Sequence, residues 1–104
     1  MLTPQVRSQL SAQSCETVVI FGLEAHVCVY QTVKDLLEAK FRVFMAADGI
    51  ASRSCEDRAV ALEQLARFGA VLSTSESILF ELCQDAKHPK FKQMSELIKQ
   101  NQIN

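Results

Sequence analysis

The chain has 104 residues, is 48% hydrophobic and 22% charged, and carries a formal net charge of -1, which suits one domain with a small core. So nearly balanced a charge leaves no electrostatic footprint for nucleic acid or an anionic membrane surface, and neither is expected as a partner. No apolar run approaches the roughly 20 residues that a membrane-spanning helix needs, and neither end carries a targeting signal, so a cytoplasmic location is expected.

Thr3 as cap and Pro4 at the first helical position open a short helix, with Val6 and Leu10 on one side. Val18, Val19, Ile20 and Phe21 follow without polar alternation, which predicts a parallel strand at about 17–22, covered on both faces by helices and ended by Gly22. From about Ala25 the apolar positions take helical spacing, at Val29, Val33, Leu36 and Leu37, and the helix runs to about Lys40. Cys28 falls in or near its first turn, where unpaired backbone N–H groups and the positive end of the helix dipole favour an anion such as a thiolate. Strand ends and the helix starts that follow them are also where ligands bind in open α/β sheets. A buried structural cysteine is the alternative from position alone.

Phe41 to Ala47 reads as a second strand closing at Asp48-Gly49, where Asp48 either lines a site or caps a turn. Ser54 with Asp57 caps the next helix, whose stripe is Ala59, Leu62, Leu65 and Ala66, and Gly69 stops it. Ala70 to Leu72 is a third strand. Ser73 with Glu76 then forms a capping box for a helix with Ile78, Leu79, Leu82 and Cys83 inward. Pro89 opens a last helix bearing Phe91, Met94, Leu97 and Ile98 on one side, with Lys90, Lys92 and Lys99 as a solvated face. The order is helix, strand and helix three times, then helix: an α/β class, with a Rossmann-like parallel sheet and flanking helices that form the second half of a doubly wound fold.

The cysteines at 15, 28, 55 and 83 have no C-x-x-C spacing, and His26 and His88 do not complete a zinc pattern, so no metal or cofactor is expected. Without a secretory signal the four are expected as thiols. His26 is a poor base for Cys28, because residues two apart on a helix do not face each other, and it reads instead as a pocket-lining or partly exposed residue.

The segment G-L-E-A-H-V-C-V resembles the nucleophile segment of the isochorismatase-like cysteine hydrolases, a family of isochorismatases, nicotinamidases and N-carbamoyl amidohydrolases whose usual form is G-x-x-T/A-x-x-C-V. Gly22, Ala25, Cys28 and Val29 occupy the matching positions. A-D-G-I-A-S-R-S-C-E-D-R-A-V-A-L-E-Q-L-A-R-F-G-A-V-L-S-T-S-E-S-I-L-F-E-L resembles a later segment of the family, and H-P-K-F-K-Q-M-S-E-L-I-K the tail of the eukaryotic isochorismatase domain-containing proteins. The resemblance spans about residues 15–100, and residues 1–104 are read as one partial domain. It implies that Cys28 attacks an electrophilic carbon of a small-molecule substrate, in a C–N or ether-type bond, to form a covalent intermediate that water resolves. It also implies a cis peptide between Leu23 and Glu24, and an oxyanion hole made by the backbone N–H groups of Glu24 and Cys28. Ala25, His26 and Asp48 are the candidate pocket residues.

The chain also departs from the pattern. Relatives complete a triad with an aspartate and a lysine placed well before the cysteine, whereas here Arg7 is the upstream basic residue besides His26, and Glu16 and Glu24 are the upstream acids. Members of such a set act as a unit, so the chain alone is expected to be nearly inactive. The resemblance further implies that a strand neighbouring 17–22 is missing. An open edge there predicts an oligomer, pairing with a relative, or a non-catalytic remnant that binds a partner through that edge.

Overall fold

A computed structural model describes residues 2–84 and 87–100. The elements run α1 (Pro4–Ala12), β1 (Thr17–Leu23), a π-helical turn (Ala25–Val29), α2 (Tyr30–Glu38), β2 (Arg42–Ala51), α3 (Cys55–Arg67), β3 (Val71–Ser73), α4 (Ser75–Cys83) and α5 (Phe91–Gln100). The three strands form one parallel sheet in the order β1-β2-β3, with helices against it, as the strand and helix alternation implies.

Side-chain direction alternates along a strand, so each strand feeds two helix layers. Val43, Met45 and Ile50 of β2 join Val29, Val33 and Leu36 of the first layer and Ala61, Leu62 and Leu65 of α3 in the main core. On the opposite face Val19 and Phe44 meet Ile78 and Leu82 around a shallow apolar groove. The helix starts follow their caps. Thr3 Oγ1 accepts from the Val6 N–H at 3.2 Å, and Ser54 Oγ accepts from the Asp57 N–H at 3.2 Å.

Several expectations need correction. The strand at 17–22 is not covered on both faces: Val18 and Ile20 pack on the core, while Val19, Phe21 and Leu23 are 39%, 73% and 68% exposed. β1 lies at an edge of the sheet, so it has one neighbour where a central strand has two. Gly22 does not end it; the strand continues to Leu23 with Gly22 at φ 129°, a backbone region open to glycine and costly for other residues. β2 also outruns its expected end, passing Asp48-Gly49 without a turn and reaching Ala51. The buried stripe of α3 is Ala61, Leu62 and Leu65, with Ala59 and Ala66 exposed. Ser73 is the last residue of β3, and Thr74 caps α4 in its place, accepting from the Ser77 N–H. In α4 only Ile78 and Cys83 are buried, and Leu79 and Leu82 are 38% and 70% exposed.

The Asp-Gly pair marks a bulge rather than a turn. Ile20 pairs with Met45 and Gly22 with Ile50, so Phe21 alone on β1 stands against Ala46, Ala47, Asp48 and Gly49 on β2. A Cβ at Gly49 would come within 3.1 Å of the Phe21 Cβ, which explains why the tightest point carries no side chain. Bulged backbone leaves the ladder, and its carbonyls need other donors. Arg58 of α3 supplies one: its Nη2 donates to the Ala47 carbonyl in the bulge, and its Nε to the Ile50 carbonyl just past it at 2.8 Å.

Candidate active site

Cys28 stands where the chain leaves β1. Its backbone belongs to a π-helical turn whose preceding residue, Glu24, is extended at φ -91° and ψ 135°. The Glu24 carbonyl accepts from the N–H groups of Val27 at 3.1 Å and Val29 at 3.2 Å, passing over the Cys28 N–H between them. Ala25 and Val29 point into the core and anchor the turn, which leaves Cys28 exposed. Among the described residues no hydrogen bond engages the Cys28 sulfur, while its carbonyl accepts from Thr32 Oγ1 at 2.8 Å. The Leu23–Glu24 peptide is cis.

The other candidates fall into two groups. Glu24, Ala25 and His26 come together with residues that follow β2. The Ala25 N–H donates to Ser52 Oγ at 3.1 Å, the Arg53 N–H donates to Glu24 Oε2 at 3.1 Å, and His26 Nδ1 lies 2.9 Å from Ser52 Oγ. Glu24 Oε2 and Asp57 Oδ2 stand 3.9 Å from His26 Nδ1 and Nε2 respectively, so the imidazole sits between two carboxylates. His26, Tyr30, Gln31, Asp57, Val60 and Gln64 line an open cleft of about 350 Å³ in which Cys28 takes no part.

Asp48 is engaged elsewhere. Its Oδ1 accepts from the Ser75 N–H at 2.8 Å and its Oδ2 from the Ser75 hydroxyl, at the start of α4. The Ser75 hydroxyl first, then the Ser75 N–H, hold its carboxyl below the ordinary value of 3.8.

Ser52 and Arg53 are not singled out from sequence, and Asp57 is read there only as a capping partner of Ser54. The signal that could have found them is topological. In a parallel sheet the segments leaving neighbouring strands lie side by side, but ending β2 at Ala47 placed its exit four residues too early. A second difference concerns Cys55, which opens α3 and is exposed, so Cys28 is not the one exposed cysteine at a helix start. The two turns differ in charge: Glu56 and Asp57 lie in the first turn of α3, and no acid lies in that of the π-helical turn.

Comparison with known proteins completes the picture. Residues 1–77 match the isochorismatase domain family. The chain is 46% identical over 100 residues to isochorismatase domain-containing protein 1 of Salmo salar, covering 95% of this chain and 35% of that one. It is 42% identical over 99 residues to isochorismatase domain-containing protein 2 of Xenopus laevis, covering 94% and 48%. Among solved structures, that of the MAR1 ribonuclease of Caenorhabditis elegans superposes with a TM-score of 0.90 at 38% identity, covering all of this chain and 53% of that one. The chain thus spans between a third and a half of the length of these curated relatives.

Proposed function

The chain belongs to the isochorismatase domain family, and from that premise we propose that Cys28 is the nucleophile of a small-molecule hydrolase site that residues 1–104 do not complete by themselves. The carrying observation is the placement of Cys28: an exposed sulfur, engaged by no hydrogen bond among the described residues, on the first turn after an edge strand. In this reading the sulfur attacks the carbonyl carbon of an amide, the electron pair of the C=O moves to oxygen, and the N–H groups of Cys28 and Glu24 hold that oxyanion. The Cys28 N–H is suited to this because the Glu24 carbonyl takes its neighbours instead. Collapse of the intermediate breaks the C–N bond, the proton lost from the thiol goes to the departing amine, and water cleaves the thioester to the acid and the free thiol.

Activation is what this chain lacks. A general base must lie within hydrogen-bond reach of the thiol proton, and no described side chain does. His26 is held on Ser52 and between Glu24 and Asp57, not on the sulfur. In this reading no described residue takes the part of the aspartate and lysine that relatives set beside the cysteine. Positioned proton transfer is worth about 10²–10⁴ in rate, so the chain alone works near background.

A second reading rests on the edge of the sheet. β1 offers an unpaired strand edge beside exposed Val19, Phe21 and Leu23, the form of surface that pairs with another strand. Here the chain acts as a non-catalytic module that binds a relative or a second copy of itself.

Residues 1–104 and the Cys28→Ala variant decide between them, by sedimentation velocity and by release of ammonia from nicotinamide and simple amides. An RNA substrate belongs in the same panel, because the solved structure from Caenorhabditis elegans is named as a ribonuclease. Near-background turnover that rises in a Cys28-dependent way when a full-length relative is added supports the hydrolase reading. Pairing that survives Cys28→Ala without turnover supports the module. A stable monomer with Cys28-dependent amide turnover, or RNA cleavage in its place, would overturn the account.

A further inference from the structure

We propose that Ser52 and Glu24 are positioning residues that fix the cysteine-bearing turn by a reciprocal clasp, an inference that rests on the reading of Cys28 as nucleophile. The π-helical turn has no side-chain cap of its own. The first N–H groups of any helical segment lack intrahelical partners and need them from elsewhere. Here the need is met from 27 residues away, as the Ala25 N–H donates to Ser52 Oγ. Glu24 stands at the position from which a side chain would ordinarily cap its own turn. Instead it reaches across, and its carboxylate accepts the Arg53 N–H, 29 residues away. Two adjacent residues after β1 and two after β2 thus exchange hydrogen bonds in both directions.

Sheet register makes this pairing inevitable. Leu23 pairs with Ala51, the last residue of each strand, so both chains leave the sheet at the same level. His26 adds a third link. A peptide nitrogen only donates, so Ser52 Oγ accepts from Ala25, and His26 Nδ1 lies 2.9 Å from the same oxygen. His26 Nε2 faces Asp57 Oδ2 at 3.9 Å. The resulting network runs from the Ala25 N–H through the Ser52 hydroxyl to the imidazole, and it starts three residues before Cys28. The Ser52 and His26 side chains are half-buried, where solvent competes with such bonds less than at a free surface.

Cys28 is already exposed, so access does not limit its reaction. What the clasp contributes is direction: it holds the backbone of the turn, and with it the Cys28 N–H and side chain, in one orientation. Loosening it lowers Cys28 reactivity, where a purely protective contact would raise it.

The test uses residues 1–104 with Ser52→Ala, Ser52→Thr and Glu24→Gln, read by amide hydrogen exchange and by iodoacetamide labelling of Cys28 against Cys55 in the same molecule. Loss of one hydrogen bond predicts about fivefold faster exchange at the Ala25 amide in Ser52→Ala. The Cys28 to Cys55 labelling ratio falls about twofold or more, and Ser52→Thr, which keeps the hydroxyl, restores both. Glu24→Gln keeps the shape, gives up the charge, and raises exchange at the Arg53 amide, which serves as the readout if Ser52→Ala does not fold. Unchanged exchange, or faster exchange with an unchanged labelling ratio, overturns the positioning role alone. If Cys28 in the unaltered chain labels no faster than Cys55, the nucleophile reading fails and takes this proposal with it.

Discussion

Replacing Asp48 by Asn should destabilise the chain at neutral pH and hardly at all in acid. The carboxylate accepts both the Ser75 N–H at 2.8 Å and the Ser75 hydroxyl, at the N-terminus of α4. Asn keeps one acceptor and loses the charge. Hydrogen bonds to a charged group contribute about 1.5–3 kcal/mol when shielded, and a carboxylate at a helix N-terminus about 0.3–1 kcal/mol. Asp48 is exposed, so water and salt discount both, and about 1 kcal/mol is the working figure. In a domain of this size that lowers Tm by about 5 °C. The sign of the pH dependence follows from the direction of the shift. Ser75 holds the folded-state value below 3.8, so the contribution is fully present above the unfolded value and is lost as pH falls through the lower, folded one. Protonated Asp is close in shape to Asn, so the two proteins converge in acid. Urea titrations of the parent, Asp48→Asn, Ser75→Ala and the double variant between pH 6 and pH 3 would measure this, with the cycle isolating the pair. A difference that stays constant from pH 6 to pH 3, or additive single substitutions, would refute the reasoning.

Under native labelling, Cys28 and Cys55 should react before Cys15, and Cys83, at 8% exposure, last; mass spectrometry at limiting iodoacetamide gives the order. Cys28 should lead Cys55, whose turn carries Glu56 and Asp57, and the reverse order would count against the electrostatic argument. Leu65→Ala removes a side chain of 0% exposure from the centre of the core and should cost about 2–5 kcal/mol, read as a fall in urea midpoint at constant slope. Arg58→Lys leaves a single ammonium for the carbonyls of Ile50 and Ala47 and should cost about 1–2 kcal/mol, which Arg58→Met should equal or exceed.

Much of the fold is legible in the chain because its elements announce themselves locally. Thr3-Pro4 and Ser54 with Asp57 open the helices they were expected to open, since a cap is decided by neighbours within a few residues. The apolar run at 18–21 found a strand for the same reason. What it could not reveal was which face of that strand is covered, because Val19 and Phe21 are as apolar as Val18 and Ile20. Strand ends were harder still. Asp48-Gly49 is a turn signal read locally and a bulge once β1 lies alongside, and only the second strand tells the two apart. The candidate site divides along the same line. Cys28 was found from a strand running into a helix, whereas Ser52, Arg53 and Asp57 reach Glu24 and His26 through register alone. Leu82 and Leu79 carry the helical spacing of buried residues yet stay open, because periodicity names a face without naming what packs on it.

The bulge at Ala46–Gly49 acts as a vernier between two strands of unequal length. It lets β2 spend extra residues beside Phe21 and still arrive level with β1, where Leu23 meets Ala51. Were one of those residues deleted, the exit of β2 would slip by about 3.3 Å along the strand, farther than a 3.1 Å hydrogen bond from Ala25 to Ser52 can follow. Arg58 would lose a carbonyl at the same stroke. Chain length in this segment is therefore constrained as tightly as residue identity: substitutions at exposed Asp48 trim stability, while a change in the number of residues between Met45 and Ile50 sets two loops out of phase.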